Sequence, residues 1–410
     1  MKLEIIKLDS GLTLLYQQVP DIASAAYSFS FGAGLSADPD GQIGAALALA
    51  ECAGRQAGEY SQREFLEQFA SNGISHSENA RQDSYICQGS CLASQLPEAL
   101  RLLGLIFVEP VISEEVLPNV VSGLKQNIFA ALDNPMRLVA QEFNRLYFAA
   151  PFNRPSIGTA EGLDAVTVKD LDAIKANQFV SDGATLSMVS SLEASAVKEM
   201  IEGSKLSQNR VGENTVPKWE VNTGTFSEHL DHDSEQTQII FGFDAPSVKD
   251  SQYYIAKVLN GVLSGGMFGR LFWEVREKRG LCYSVYSAYR ANAEYGRFIC
   301  YAGTTNERAA ETLDVMRSVM TDLTGSITEA ELSRAKTDLL SGTVIARETS
   351  IAKTSSALND WQNFGKVRSV EDVTNAIQSV SVADLDKFAA EWKYAEHSLL
   401  TLGKERLDVN

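Results

Sequence analysis

Apolar residues near the start of the chain recur first with the period of a strand and then with that of a helix. Every second residue from Ala25 to Phe31 is apolar, which predicts a strand over residues 23–31 with one buried face. Residues 43–53 are rich in Ala and Leu and contain no Pro, which predicts a helix. A strand, a turn and a helix therefore follow one another here.

Predicted helices and strands continue to residue 132. Ser61 and Glu64 have the spacing of a capping box, in which the side chain of each residue accepts a hydrogen bond from the backbone N–H of the other. They predict the start of a helix over residues 61–71. The remaining predicted elements are a polar stretch at 72–83, a strand at 84–91 and helices at 95–107 and 114–132.

The order of strand, turn and helix recurs in the second half of the chain. Residues 236–243 have the composition of a strand, Pro246 lies in a turn, and residues 251–263 have the composition of a helix. Between the two repeats, residues 205–225 contain few large aliphatic side chains but several Gly and Pro residues. This composition is typical of a linker.

The repetition predicts an α+β protein with two similar domains that arose by duplication. Each domain is expected to contain an antiparallel sheet with helices packed on one face. The predicted domains are residues 1–204 and 226–410, with 205–225 as the linker. A length of 410 residues supports two domains, because it exceeds what one ordinary hydrophobic core holds. Coincidence is the alternative, since a helix after a strand is common.

Composition excludes some classes of partner. The chain has 36 Lys and Arg against 53 Asp and Glu, a formal net charge of -17, which opposes binding to the phosphates of nucleic acids or anionic lipids. No segment approaches the roughly 18 consecutive apolar residues that a membrane-spanning helix needs. We therefore expect a soluble protein that neither binds nucleic acid nor inserts into a membrane.

Two features bear on the compartment. Residues 1–15 predict a strand and a turn, without the charged start, apolar core and cleavage site of a signal peptide. The five cysteines are scattered and odd in number, unlike a disulfide framework. These observations favour the cytoplasm, with the periplasm as the alternative if a signal peptide has been removed.

One stretch carries a specific resemblance. Residues 263–287, LSGGMFGRLFWEVREKRGLCYSVYS, resemble almost residue for residue the second-domain signature of the pitrilysin (insulinase) family of zinc metallopeptidases. In the first turn, Ser10 stands where the family usually has Asn. Weaker matches lie at Gly11-Leu12, Asp133-Asn134-Pro135, Pro155-Ser156-Ile157-Gly158 and Gln236.

The resemblance implies a zinc site in the first domain, and this chain has lost its ligands. Family members carry H-x-x-E-H on a helix, with a later Glu as third ligand. The aligned residues here are Ala48, Glu51 and Cys52 for the motif and Asn127 for the later Glu. Ala48 has no donor atom, and one thiol cannot replace the three protein ligands of a catalytic zinc. We expect no metal in this chain, with Cys52 as a buried apolar side chain.

The same resemblance implies that a second group of functional residues is intact. Arg276 and Tyr283 match the residues that approach the substrate from the second domain. Tyr283 matches the donor to the developing oxyanion and Arg276 the group that holds the substrate backbone. From spacing alone, an ordinary exposed charge at Arg276 and an ordinary strand aromatic at Tyr283 are the favoured interpretation, and the surrounding match reverses that preference.

Loss of one site and retention of the other predicts a divided enzyme. The chain would be a non-catalytic, zinc-free subunit, inactive alone, that forms a heterodimer with a homologous zinc-bearing partner and completes its site for peptide hydrolysis. A purely structural subunit, similar to the core proteins of respiratory complexes, is the alternative. A third possibility is a self-sufficient enzyme with an atypical metal site at Glu51 and Cys52. His229 and His232 are another candidate pair of metal ligands, although their sequence context is more typical of a solvated loop.

Overall fold

The computed structural model describes residues 3–212, 217–222, 224–391, 394 and 397–407. It contains two compact units, each assembled from three segments. Unit 1 comprises Met1–Ala130, Arg154–Pro217 and Ala346–Trp361, and unit 2 comprises Ala131–Asn153, Lys218–Ile345 and Gln362–Asn410. The domain boundaries proposed for residues 205–225 remain a prediction, and residues 213–216 and 223 of that linker lie outside the described part.

Unit 1 contains a six-stranded sheet in which the strands do not lie side by side in the order of the sequence. Its strand order is β1-β2-β6-β3-β5-β4, with all neighbours antiparallel except β2 and β6, which are parallel. The strands are β1 (Leu3–Lys7), β2 (Thr13–Gln18), β3 (Ser24–Phe31), β4 (Ser75–Ala80), β5 (Tyr85–Leu92) and β6 (Thr185–Ser190).

The predicted helices of the first half are confirmed. The capping box at Ser61 and Glu64 is formed, with both reciprocal hydrogen bonds present. Strand β4 was missed, because its alternating polar residues face solvent at the sheet edge and resemble a loop. The helices are α1 (Ala45–Arg55), α2 (Gln62–Ser71), α3 (Leu96–Val108), α4 (Leu117–Leu132), α5 (Pro135–Tyr147), α6 (Ala160–Asp164), α7 (Val168–Gln178) and α8 (Ala194–Glu202).

Strand β3 is buried on both faces, whereas its sequence predicted one. Tyr27 and Phe29 point into the main core of unit 1. Ser28, on the opposite face, contacts a helix from the second half of the chain, where Ser28 Oγ lies 2.8 Å from Thr354 Oγ1. The prediction was wrong because a Ser-rich face resembles a solvated one, and only a distant segment covers it.

Unit 2 repeats the arrangement with a five-stranded sheet, in the order β7-β11-β8-β10-β9. Only β7 and β11 are parallel among these neighbours. The strands are β7 (Ser227–Asp231), β8 (Gln236–Ala245), β9 (Cys282–Ala291), β10 (Gly296–Thr305) and β11 (Ser398–Gly403), and the helices are α9 (Tyr253–Ser264), α10 (Ala309–Thr321), α11 (Glu329–Ile345), α12 (Ser350–Phe364), α13 (Val370–Ser379) and α14 (Val382–Glu391).

The two halves of the chain exchange a helix. Helix α5 from the first half packs on the sheet of unit 2, where Val139 and Phe143 contact Ile240 and Leu400 in one buried cluster. Most of helix α12 from the second half belongs in turn to unit 1. The fold class is thus confirmed as α+β with two similar, mostly antiparallel sheets, and each sheet also carries a helix on its second face.

The predicted loop around His229 and His232 is in part a strand. His229 lies in β7, parallel to β11, and its Nδ1 is 2.8 Å from Thr401 Oγ1. The prediction was wrong because β7 is short and polar, and its pairing with β11 joins segments far apart in sequence. Among the described residues, no helix is long and apolar enough to cross a membrane.

Candidate functional site

Helix α1, which carries the residues aligned with the zinc motif, begins at an unusual cap. The carboxylate of Asp38 accepts hydrogen bonds from the backbone N–H groups of Gly44 and Ala46, both at 2.7 Å. These are donors that the first turn of a helix leaves unpaired. Asp38 is 4% exposed, and its burial raises the pKa of this carboxyl to about 6, although both hydrogen bonds act in the opposite direction.

The aligned zinc-ligand positions do not form a metal site. Ala48 and Cys52 are both 0% exposed and belong to the main core of unit 1. Burial raises the pKa of the Cys52 thiol to about 11, which keeps it protonated at neutral pH and makes it a poor ligand. Glu51 points outward and pairs with Arg55 at 3.2 Å, and Asn127 is exposed on α4.

These residues therefore do not fit zinc, because a tetrahedral site needs three or four converging donors. In the described part of the chain, no three His, Cys, Asp or Glu side chains come together as a metal-binding group.

The signature stretch adopts a different and less common backbone. After α9, residues Phe272–Glu277 form a π-helical turn, in which the N–H of Lys278 bonds the carbonyl of Trp273 at 2.9 Å. Leu271 and Val275 anchor the turn in the core of unit 2, both at 0% exposure. Such turns are rare and are frequent at functional sites. The chain then enters β9, one of the two edge strands of the sheet.

Arg276 and Tyr283 lie in contact at the junction of the π-helical turn and β9. Arg276 Nη1 donates a hydrogen bond to the carbonyl oxygen of Tyr283 at 2.7 Å. The guanidinium carbon lies 4.7 Å from the centre of the Tyr283 ring and 4.8 Å from that of Phe272. Tyr283 is 77% exposed, so its phenol is accessible to a ligand. The sequence identified the pair but did not reveal Phe272.

The same stretch of sequence carries exposed apolar side chains. Met267, Phe268 and Trp273 are each at least half exposed. Phe268 and Trp273 also line a cavity of about 820 Å³, together with Val315 and Val319 of α10. Single exposed apolar residues are ordinary on a protein surface, whereas a cluster of them marks a contact surface.

Comparison with known proteins identifies the family. Residues 165–339 match the model described as the Peptidase M16 inactive domain, a range that includes Arg276 and Tyr283. A protein of Rickettsia felis described as an uncharacterized zinc protease is 25% identical over 385 residues, which cover 93% of this chain and 92% of that protein. The domain match is to the M16 peptidase family. This is the pitrilysin-type family that the signature resembles.

Other M16 relatives agree. An uncharacterized zinc protease of Mycobacterium tuberculosis is 30% identical over 282 residues, 66% of this chain and 63% of its own length. The crystal structure of a peptidase M16 inactive domain from Pseudomonas fluorescens superposes with a TM-score of 0.89 at 20% identity, covering 99% of this chain and 98% of that one. A protease from Helicobacter pylori gives 0.87 at 16% identity, with 98% and 99% covered. These two structures establish the fold.

Proposed function

We propose that this chain is the zinc-free subunit of a heterodimeric M16 peptidase and supplies Arg276 and Tyr283 to peptide hydrolysis. The zinc is expected in a homologous partner subunit, and the substrate is a peptide. The observation that carries the proposal is the contrast between the two sites: residues at the zinc-ligand positions are buried in the core or point to solvent, whereas Arg276 and Tyr283 meet at an accessible surface.

The geometry of Tyr283 suits a donor to an oxyanion. A phenol donates one O–H bond, and with 77% of the residue exposed the hydroxyl can reach a carbonyl oxygen presented from outside the unit. Negative charge grows on that oxygen as the peptide carbonyl is attacked. A donor aimed at it therefore stabilises the transition state more than the bound substrate.

The geometry of Arg276 suits a clamp on a peptide backbone. A guanidinium has five N–H donors. Within the described residues Arg276 makes one hydrogen bond, from Nη1 to the carbonyl oxygen of Tyr283, which helps to orient the guanidinium. Its side chain is 34% exposed, and the nearby Glu277 carboxylate is 3.9 Å away, which is too long for a direct hydrogen bond. Donors therefore remain for the carbonyl oxygens of a substrate.

Activity of the reconstituted heterodimer tests the proposal. The partner to mix with this chain is a homologue from the same genome with an intact H-x-x-E-H motif. Tyr283→Phe should lower turnover by about 100-fold to 1000-fold with little effect on assembly, as for other oxyanion donors. Arg276→Ala should weaken substrate binding as well as turnover, because a backbone clamp acts in both the ground state and the transition state.

The matched control is Tyr286→Phe, which removes a phenol from the same strand at a ring that packs against Tyr301. It should leave activity unchanged. Full activity of both the Tyr283 and Arg276 variants in an intact heterodimer would refute the proposal and leave a purely structural subunit in its place.

A further inference from the structure

Phe272 is placed unlike its neighbours on the π-helical turn. Leu271 and Val275 are 0% exposed and pack in the core of unit 2. Phe272 is only partly buried, and within the described residues it is not among the apolar side chains of that core. A large ring at the core boundary contributes less to folding than one inside the core. Core packing therefore does not explain why a phenylalanine stands at this position, and we consider its contact with Arg276 instead.

That contact is a cation–π interaction of good geometry. The guanidinium carbon of Arg276 lies 4.8 Å from the centre of the Phe272 ring, inside the roughly 6 Å within which such pairs attract. Phe272 and Arg276 are four residues apart, a spacing that places side chains on one helical face. Since the Tyr283 ring lies at 4.7 Å from the same carbon, the guanidinium contacts two rings at once.

The two ring contacts and one hydrogen bond restrict Arg276 strongly. A free arginine side chain loses rotamer entropy when it is fixed. A residue that fixes it before the substrate arrives removes part of that cost from binding. Because Arg276 also donates to the backbone carbonyl of Tyr283, the same restriction reaches the start of β9.

We propose that Phe272 is a positioning residue that holds the Arg276 guanidinium, and through it Tyr283, in the orientation for substrate. This inference deepens the proposed function and rests on it for its catalytic consequence. The placement of Arg276 by Phe272 is a property of this chain alone.

The first experiment measures that placement in the isolated chain. In a chain labelled with 15N-arginine, the Nε–H signal of Arg276 is assigned by its loss in Arg276→Lys, and ring currents displace it upfield. Phe272→Leu should move the signal toward its position in the unfolded chain, and Phe272→Tyr should keep it in place. Phe268→Leu is the control, since Phe268 is an exposed aromatic of the same stretch that faces Arg334 instead.

An unchanged Arg276 signal in folded Phe272→Leu, with circular dichroism as the check on folding, would overturn the inference. If Phe272→Leu does not fold, Phe272→Met carries the same expectation and the same refutation.

The second experiment measures the consequence in the heterodimer. Phe272→Leu should lower kcat/KM by about twofold to fivefold, the factor that one partly exposed cation–π contact corresponds to. Both KM and kcat should change, as for Arg276→Ala, and Phe272→Tyr should restore them. Unchanged kcat/KM in the Arg276 and Tyr283 variants would refute the proposed function. If kcat/KM is unchanged in Phe272→Leu but lowered in the Arg276 and Tyr283 variants, only the positioning role is refuted.

Discussion

Restoring the zinc ligands of helix α1 is the most demanding test of the assignment of the lost site. The triple variant Ala48→His, Cys52→His and Asn127→Glu rebuilds the ligand set that the family resemblance implies. Glu51 is already in place, and its carboxylate needs only to leave the exposed pair with Arg55. We expect the triple variant to bind zinc.

The structure indicates how much folding stability these substitutions remove. Ala48 and Cys52 are both 0% exposed, so each new imidazole enters a close-packed core. Overpacking costs typically about 1–3 kcal/mol per site, or roughly 2–6 kcal/mol for the two, whereas Asn127→Glu at an exposed position costs little. Zinc offsets this loss, because structural zinc sites bind with apparent free energies of about 10–16 kcal/mol. The metal-free variant should therefore unfold at a lower temperature than the wild type, and zinc should raise it again.

Isothermal calorimetry and thermal unfolding with and without zinc measure both effects. The double variant with Asn127 retained is the matched control, because it carries the same packing strain with one ligand fewer and should bind zinc more weakly. A triple variant that remains folded but shows no zinc affinity would refute the alignment of residues 48–52 or of residue 127.

Two further predictions concern the unmodified sites. The purified wild-type chain should contain no stoichiometric zinc and cleave no peptide, because Ala48, Cys52 and Asn127 stand in place of the three zinc ligands; elemental analysis that finds about one tightly held zinc per chain, with chelator-sensitive proteolysis, would contradict this. Burial raises the pKa of Asp38 from 3.8 to about 6, so between these values the folded state binds a proton more tightly than the unfolded state, and stability falls as pH rises. The difference between these two pKa values corresponds to roughly 3 kcal/mol. In urea unfolding, the wild type should lose about that much stability relative to Asp38→Asn between about pH 4 and about pH 7, and a pH-independent difference would contradict the assignment.

Local chemistry determined most of the elements that the sequence predicted. The helix at Gln62–Ser71 follows from its capping box, which involves residues only three apart. Strand β8 and helix α9 are predicted from the spacing of their apolar residues, which reflects the face that each element buries. Such signals are contained within a dozen residues and are readable without the fold.

The features that were missed depend on contacts between distant residues. The second face of β3 is buried because α12 lies against it, more than 300 positions later in the chain. His229 is in a strand because β11 pairs with β7. The exchange of α5 and α12 between the units leaves no local signal, since an amphipathic helix has the same pattern whichever sheet it covers. Likewise, Arg276 contacts both the Phe272 and Tyr283 rings only because the chain turns between the π-helical segment and β9.

The two candidate sites differ in how much the fold explains them. Ala48 and Cys52 fill a close-packed core, so packing alone accounts for small apolar side chains there. Packing does not account for Tyr283, because a phenol that is 77% exposed adds little to the stability of an edge strand. Nor does solubility require an aromatic ring at that position. The Tyr283 phenol is accessible, and the Tyr283 backbone carbonyl accepts a hydrogen bond from the Arg276 guanidinium. Contact with another molecule explains this arrangement better than packing does, and this is the physical argument for the proposed role.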